Sequence, residues 1–294
     1  MAPITWSLLV IPHDRRSMSF KKLIMSVAAA ALLTITVVPS SQAATISTIV
    51  KGTLTNCVDV EYPPMEYFSN GTSGDVVGFD VEGAAALAKY FGLKVNQLNT
   101  SFDGLIPSLA SGKCDIVWSG LYLSNKRLAV ADGVIYMNTG AGLIVPAGNP
   151  KKITNATSLC GLTVSVQGQG SNWQFLQDQS KVCTSAGRKA VNVQSYPKTA
   201  ETVAAVLSGK ADALIETDVA VPEITDASNG KLVEQKGIFK ATTQFAVYMP
   251  KGSKNFLTIK SAIRALVLDG TLPKLATKYG LDPKKVTTLK KPAI

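Results

Sequence analysis

Strand patterns that alternate with helical patterns from Gly52 onward are the feature that most limits what this chain can fold into. Read in order, the patterns predict a strand at 54–60, a helix at 81–92, a strand at 93–98, a short helix at 103–111 and a strand at 114–119. Asp80 stands where it would cap the first helix. Such alternation favours a parallel sheet covered by helices, so this region predicts one α/β lobe.

The same plan repeats after a turn at 146–150. The patterns predict a strand at 162–166, a helix at 171–179, a strand at 190–194, a helix at 197–207 with Pro197 in its first turn, and a strand at 211–215. Two extended stretches, at 141–148 and 242–250, look like connections between the lobes. Helices at 255–268 and 272–279 would then return to the first lobe.

These patterns predict two α/β lobes joined by two hinge strands. We assign residues 44–143 and 246–294 to the first lobe and residues 144–245 to the second. Each lobe is expected to hold a mostly parallel sheet with flanking helices. Ligands of such sheets bind at the carboxyl ends of the strands, so the two lobes would close on a ligand between them as a hinged clamp.

Residues 1–43 have the pattern of a secretory signal peptide. Lys21 and Lys22 precede an apolar run at 27–38, and small residues follow at the cleavage position. The apolar run is shorter than the roughly 20 residues that span a bilayer. We therefore expect cleavage after Ala43 and export to the periplasm, with translation starting at Met1 or Met18.

The composition of the exported chain excludes several classes of function. The single histidine, His13, leaves with the signal peptide, which excludes a Ser-His-Asp triad, a Cys-His pair and a His-ligated zinc site. Export also lowers the formal charge from +10 to +7, because four cations and one anion lie in residues 1–43. The remaining cations are scattered, which argues against nucleic acid as a partner. We expect a monomer without metal or cofactor.

Four cysteines in an exported chain predict disulfide bonds. Cys160 precedes a strand pattern and Cys183 follows the helical pattern after it. A helix that returns antiparallel to its strand brings these two ends together, so we predict a bond between them. Cys57, inside the first strand, and Cys114, at the start of another, are consistent with a second bond or with two buried thiols.

Five segments in a fixed order resemble the family 3 extracellular solute-binding proteins, the periplasmic amino-acid receptors of ABC importers. They are YPPMEY at 62–67, GFDVEGAAALAKYFG at 78–92, SFDGLIPSLASGKCD at 101–115, SGLYLSNKR at 119–127 and DGTLPKLATKYG at 269–280. The resemblance covers essentially the whole exported chain. It implies a type 2 periplasmic-binding fold that delivers a polar amino acid, or a related compound such as an opine or another small carboxylate, to a membrane permease.

The same resemblance implies that Arg127 grips the α-carboxylate of the ligand. A guanidinium offers two parallel N–H donors to one carboxylate, and a dry cleft strengthens both bonds. Ser119, Gly120 and Tyr122 open the same motif and are expected at the same carboxylate. The alternatives are a surface cation near the helix cap Ser124 for Arg127, and a packing ring for Tyr122, where the family usually has Ser or Thr.

Three further residues of the first lobe are expected at the ligand. Phe102 and Tyr62 fall where the family stacks aromatic rings on the ligand, although either ring is also consistent with ordinary core. Asp59 ends the first strand and is expected to face the cleft, where it would read the side chain of the ligand.

Across the cleft, Gln169, Gly170 and Ser171 open a helix whose free N–H groups suit a carboxylate. Turn geometry is the alternative explanation for these residues. Glycines 168 and 170 do not form a dinucleotide fingerprint, because a third glycine is missing at the needed spacing.

The segment IETDVA at 215–220 departs from the family pattern. An acid that pairs with the α-ammonium is expected at Thr217, but here the acids are its neighbours Glu216 and Asp218. Either acid could take over the amine, or Asp218 or Thr217 could cap the following helix. The alternative function is an enzyme similar to cyclohexadienyl dehydratases, in which Glu216 would be the acid.

Overall fold

The computed structural model describes residues 45–239 and 243–289. The signal peptide predicted at 1–43 lies outside these residues. Within the described ranges, no helix is long and apolar enough to cross a membrane.

The described chain forms two five-stranded sheets and one small hairpin. The strands are β1 (Thr53–Val58), β2 (Tyr67–Phe68), β3 (Val76–Val77), β4 (Lys94–Asn99), β5 (Ile116–Val117), β6 (Ala131–Thr139), β7 (Ala141–Pro146), β8 (Thr163–Gln167), β9 (Asn192–Tyr196), β10 (Ala213–Thr217), β11 (Leu232–Glu234) and β12 (Thr243–Pro250). The first sheet has the order β4-β1-β5-β12-β6 and the second has the order β11-β7-β10-β8-β9.

Helices cover both sheets. They are α1 (Phe79–Tyr90), α2 (Leu105–Ala110), α3 (Asn125–Val130), α4 (Ser171–Ser185), α5 (Thr199–Leu207), α6 (Val221–Ala227), α7 (Phe256–Leu268) and α8 (Thr271–Lys278). Short 3-10 turns occur at Phe102–Gly104, Ala156–Leu159 and Pro283–Lys285. The two-lobed α/β architecture predicted from the alternating patterns is confirmed.

One strand in each sheet runs against the others, and it is the strand that enters from the other lobe. β12 pairs antiparallel with β5 and β6, and β7 pairs antiparallel with β10 and β11. The extended connections predicted at 141–148 and 242–250 are therefore strands within the sheets. Between β6 and β7 the chain crosses from one sheet to the other at a single residue, Gly140. We propose that the lobes divide as the sheets do.

The core of the first lobe is aromatic and that of the second is aliphatic. Tyr136 packs against Trp118 and Phe245 with ring centroids 5.2 and 6.0 Å apart, and all three side chains are fully buried. The second core includes the buried residues Leu143, Val164, Leu176 and Ile215. Burial of each such side chain stabilises the folded state by roughly 1.5–3 kcal/mol, so each lobe has a hydrophobic core of its own.

The first helix begins two residues earlier than predicted, at Phe79 rather than at residue 81, and Asp80 does not cap it. Gly78 is the residue at the cap position, with a φ of 133° that disfavours L side chains. A Cβ on Gly78 would lie 2.2 Å from the carbonyl oxygen of Met65, so the close approach requires glycine. Asp80 is instead fully buried inside the first turn of the helix.

Two helices of the second lobe also differ from their predicted bounds. α4 extends to Ser185, so Cys183 lies within the helix rather than after it. α5 begins at Thr199, and Pro197 lies outside its first turn because Lys198 takes the cap position. Strands β2, β3, β6 and β11 were not predicted.

Both pairs of cysteines are disulfide-bonded. Cys160 is bonded to Cys183, as predicted, with their Cα atoms 5.5 Å apart. Cys57 is bonded to Cys114, which decides the alternative left open by the sequence, and the described residues contain no free cysteine. The Cys57–Cys114 bond lies within the first lobe and the Cys160–Cys183 bond within the second, so neither disulfide links the two lobes.

Removing the second-lobe disulfide is expected to lower the free energy of unfolding by about 3 kcal/mol, because the bond closes a loop of 23 residues in the unfolded chain. Urea denaturation of the Cys160→Ser, Cys183→Ser double variant measures this loss. Mass spectrometry of a non-reduced digest provides the control, since both peptides must be found crosslinked in the wild type. Free thiols at both positions in the exported protein would contradict the assignment.

Candidate ligand-binding site

A cavity lies where the carboxyl ends of β1, β5, β8 and β10 meet. Parallel strands direct their ends to one edge of a sheet, so the two sheets bring their strand ends together across this cavity. Eleven of the thirteen predicted site residues line it: Asp59, Tyr62, Phe102, Ser119, Gly120, Tyr122, Arg127, Gly170, Ser171, Glu216 and Thr217.

The other two predicted residues lie outside the cavity. Gln169 has a φ of 63° and its exposed side chain faces a neighbouring surface groove, so it serves the turn before α4. Asp218 accepts hydrogen bonds from Thr139 Oγ1 at 2.7 Å and from Lys285 Nζ at 2.8 Å. Both partners of Asp218 belong to the first sheet or the segment after it, so Asp218 joins the lobes beside the crossing at Gly140.

Arg127 presents a guanidinium to the cavity without a carboxylate partner among the described residues. Its Nη1 donates to the carbonyl oxygen of Tyr122 at 2.8 Å, and its Cζ lies 5.8 Å from the ring centroid of Phe102. Burial lowers the pKa of this guanidinium from its ordinary value, while Tyr248 opposes the shift. A desolvated cation held only by neutral groups is a strong attractor for an anion.

The amino end of α4 faces the same cavity from the other lobe. Ser171 and Asn172 are its first two residues, and the cap residue Gly170 has no side chain that could accept their N–H groups. The first hydrogen bond of the helix is donated by Gln174 N to the carbonyl oxygen of Gly170. The early N–H groups and the helix dipole favour negative charge there. The ring of Phe102 packs 3.3 Å from where a Cβ on Gly170 would lie, so the two lobes are in close contact at this end.

Tyr62 reaches across the cavity to the end of β10. Its hydroxyl contacts Thr217 Oγ1 and donates to Glu216 Oε1 at 3.4 Å. β10 ends at Thr217, so the alternation of side chains stops there and both Glu216 and Thr217 line the cavity. Gly120 makes room for the tyrosine ring, because a Cβ on Gly120 would lie 2.8 Å from Cε1 of Tyr62.

Glu216 is a buried carboxyl group held by neutral donors. Its Oε1 accepts the backbone N–H of Thr217 at 2.8 Å, and its Oε2 accepts Thr199 Oγ1 at 3.2 Å. Burial raises the pKa of Glu216 to about 7, although these hydrogen bonds oppose the shift. A cation brought into the cavity would stabilise its charged form.

The hydroxyl of Tyr122 is already used by the protein. It donates to the carbonyl oxygen of Gly140 at 2.9 Å, and the ring stacks on Phe245 with centroids 5.4 Å apart. The structure therefore favours the packing role for Tyr122, at the crossing between the lobes. The N–H of Gly120 is also used, since it donates to Asp80 Oδ2 at 2.6 Å and is not available to a ligand carboxylate.

A second acidic group lies at the far end of the cavity. Asp59 and Glu61 line both the cavity and an open groove that continues beyond it, whereas Arg127 lines a different groove. Gln167 Nε2 donates to Glu61 Oε1 at 3.3 Å, and Lys198 Nζ lies 3.8 Å from Glu61 Oε2. Burial, followed by the charge of Glu61, raises the pKa of Asp59 to about 7.

Five cavity residues with polar side chains were not singled out from the sequence: Glu61, Glu66, Gln167, Asn172 and Thr199. Their positions carry a signal that could have identified some of them. Gln167 is the last residue of a strand, and Thr199 and Asn172 open helices, which are the positions where ligands meet an α/β sheet. Among the described residues, no group of His, Cys, Asp and Glu side chains is arranged to hold a metal ion.

Two α/β lobes that meet around a guanidinium with no carboxylate partner among the described residues, and around a helix amino end, are typical of solute-binding proteins. The chain belongs to the bacterial extracellular solute-binding proteins, family 3, which it matches over residues 54–282. This confirms the resemblance found in the sequence motifs.

Known proteins resemble this chain in sequence and in fold. The L-cystine-binding protein TcyJ of Escherichia coli K12 is 29% identical over 238 residues, covering 80% of this chain and 85% of the relative. An amino acid ABC transporter substrate-binding protein of Streptococcus pneumoniae, solved bound to L-arginine, has 25% identity and a TM-score of 0.70, covering 78% of this chain and 94% of that one. An ancestral amino acid-binding protein, described as a precursor of cyclohexadienyl dehydratase, has 28% identity and a TM-score of 0.67, with 78% and 95% covered.

Proposed function

We propose that this protein captures an amino acid or an amino-acid derivative in the interlobe cavity and delivers it to the permease of an ABC importer. The observation that carries the proposal is the guanidinium of Arg127, which faces the cavity without a carboxylate partner in the part of the chain that the structure describes. It supplies a forked donor for one carboxylate, and the amino end of α4 supplies further N–H donors from the opposite lobe. A carboxylate gripped from both sides would hold the lobes closed.

The rest of the cavity suits a positive charge near that carboxylate. Glu216 replaces the acid missing at Thr217, and its carboxyl group is oriented by Tyr62 and Thr199. At the far end, Asp59 and Glu61 favour a side chain that donates hydrogen bonds or carries a cation. Arginine and cystine, the compounds in the names of the relatives, have groups of this kind, and an opine with a substituted amine fits the same chemistry.

The remaining parts of the proposal concern where and how the protein works. The family is extracellular, and the sequence of residues 1–43 supports export to the periplasm by a signal peptide. We propose a monomer that contacts permease subunits in the inner membrane and carries out no chemistry on its ligand. The described neighbour linked to the dehydratases is itself an amino acid-binding protein, which favours binding over catalysis.

A screen of the exported protein tests this function. A ligand present at 100 times its Kd stabilises the folded state by about 2.7 kcal/mol, so a true ligand raises the melting temperature by several degrees. We expect such a rise with at least one of L-arginine, L-lysine, L-glutamine, L-cystine and octopine. D-glucose is the matched negative control. Turnover of prephenate or arogenate by the pure protein, or no shift with any amino acid or opine, would contradict the proposal.

A further inference from the structure

Two buried carboxylic acids lie at the floor of the cavity, and the proposed function gives neither of them a role. Glu66 precedes β2 and is 1% exposed, and Asp80 lies in the first turn of α1 and is 0% exposed. Glu66 borders the cavity directly, under Gly120. The acids belong to different motifs of the sequence, YPPMEY and GFDVEG, and the fold brings them into contact.

One oxygen of each acid accepts a hydrogen bond from the turn that follows β5. Ser119 Oγ donates to Glu66 Oε1 at 2.7 Å, and the Gly120 N–H donates to Asp80 Oδ2 at 2.6 Å. Asp80 Oδ2 also accepts the hydroxyl of Tyr136 at 2.7 Å. The second oxygens, Glu66 Oε2 and Asp80 Oδ1, are buried without a close hydrogen bond from the described residues, and the buried indole N–H of Trp118 beside Asp80 also lacks a close acceptor there.

No lysine or arginine of the described chain forms an ion pair with either acid. The titratable groups that face the pair are Asp59 from the end of β1, Tyr62 from the following loop and Tyr136 from β6, all neutral or acidic. Two carboxylates in contact without a counterion cannot both be ionised in a dry interior. A single proton held by one acid lets it donate a hydrogen bond to the other and removes the repulsion between two charges.

We propose that Glu66 and Asp80 share one proton at neutral pH, that the pair positions the Ser119–Gly120 turn under the ligand, and that ligand binding draws the proton off. The last part rests on the proposed function, because it requires the ammonium of the ligand to enter the cavity beside Glu66. A positive charge there favours the doubly ionised pair. Glu66 and Asp80 are positioning residues that act through the turn.

The hydrogen bonds indicate where the proton resides. Asp80 accepts two donors, which stabilise its charged form, so the proton belongs on Glu66. Burial, followed by the charge of Asp80, raises the pKa of Glu66 well above its ordinary range, and burial raises that of Asp80 to about 7. The folded state thus keeps a proton that the unfolded chain loses above pH 4.5. Stability is fully present below the unfolded pKa values and declines as pH rises toward 7 and beyond.

The ligand-free protein tests the shared proton. We expect the melting temperature of the wild type to fall between pH 5 and pH 8, and the fall to be smaller by at least about 3 °C in Glu66→Gln. Glutamine keeps the bond to Ser119 and donates to Asp80 but has no proton to lose. Glu234→Gln on β11 is the matched control and should follow the wild type. Identical pH profiles for wild type and Glu66→Gln would overturn the proposal, whether or not any ligand is known.

Calorimetry with L-arginine tests the positioning and the release. Measured at pH 7 in phosphate and in Tris, the wild type should release between about 0.3 and 1 proton more per bound L-arginine than Glu66→Gln, because Glu216 and Asp59 are present in both proteins and contribute equally. Affinity should stay within about threefold in Glu66→Gln and fall at least tenfold in Glu66→Ala. Equal proton release in wild type and Glu66→Gln, or equal affinity in the alanine and glutamine variants, would overturn the coupling. Absence of L-arginine binding in the wild type would overturn the coupling to this ligand, and the pH profiles would still test the shared proton.

Discussion

Replacement of Arg127 by alanine is expected to abolish ligand binding. The guanidinium is partly buried, faces the cavity and has no carboxylate of its own among the described residues, so a ligand carboxylate would be left without its only facing cation. Truncating one member of a buried, hydrogen-bonded charge pair costs about 2–5 kcal/mol, or roughly a factor of 30 to 5000 in Kd. Isothermal titration calorimetry with the ligand from the screen measures the loss.

Arg127→Lys separates geometry from charge in the same experiment. An ammonium keeps the positive charge but cannot provide the forked pair of donors, so binding should remain at least tenfold weaker than in the wild type. Arg264→Ala, on the exposed face of α7, is the matched control and should bind normally. Thermal melting without ligand shows whether each variant is folded. Wild-type affinity in Arg127→Ala or in Arg127→Lys would remove Arg127 from the site.

Replacement of Glu216 by glutamine is expected to weaken binding of an α-amino acid at least 30-fold. An ammonium taken into a closed cavity loses its hydration and must find a carboxylate, and Thr217 offers only a neutral hydroxyl. Glutamine keeps the size of the side chain and its bonds to Tyr62 and Thr199, so the loss reports the charge. The deaminated analogue of the same ligand should bind wild type and Glu216→Gln with similar affinity.

Asp218→Asn is a control that the chain itself provides. It removes the acid on the other side of Thr217, but Asp218 is bonded to Thr139 and Lys285 outside the cavity. Preference for the amino acid over its deaminated analogue should therefore survive in Asp218→Asn. Equal affinity for both compounds in the wild type would show that no carboxylate of the protein binds the α-amine of the ligand. The ligand would then be a simple carboxylate.

The order of the elements could be predicted from the sequence because helices and strands leave different apolar periods. β6 was missed because Asp132 and Gly133 weaken its strand pattern, and its pairing with β12 comes from a distant part of the chain. The start of α1 was misplaced for a similar reason. Asp80 has the chemistry of a cap, but the contact of Gly78 with Met65 sets the first turn and places Asp80 in the core.

The predicted site residues came from motifs and from the ends of strands, and the cavity brings most of them together. Glu61 and Glu66 could not be identified in this way. An acid in a loop usually faces solvent, and only the folded contacts with Gln167 and with Ser119 show that these two do not. The choice between Glu216 and Asp218 also required the structure, because it depends on where β10 ends.

The place of β12 in the first sheet has a consequence for the order in which the lobes can form. All strands of the second sheet lie between Ala141 and Glu234, so that sheet can be completed while the last part of the chain is still being translocated. The first sheet has to wait for Thr243–Pro250, which inserts between β5 and β6 across a long separation in sequence, a contact that forms slowly. We therefore expect the lobe that carries Arg127 to assemble last, and a chain that still lacks β12 to bind no ligand.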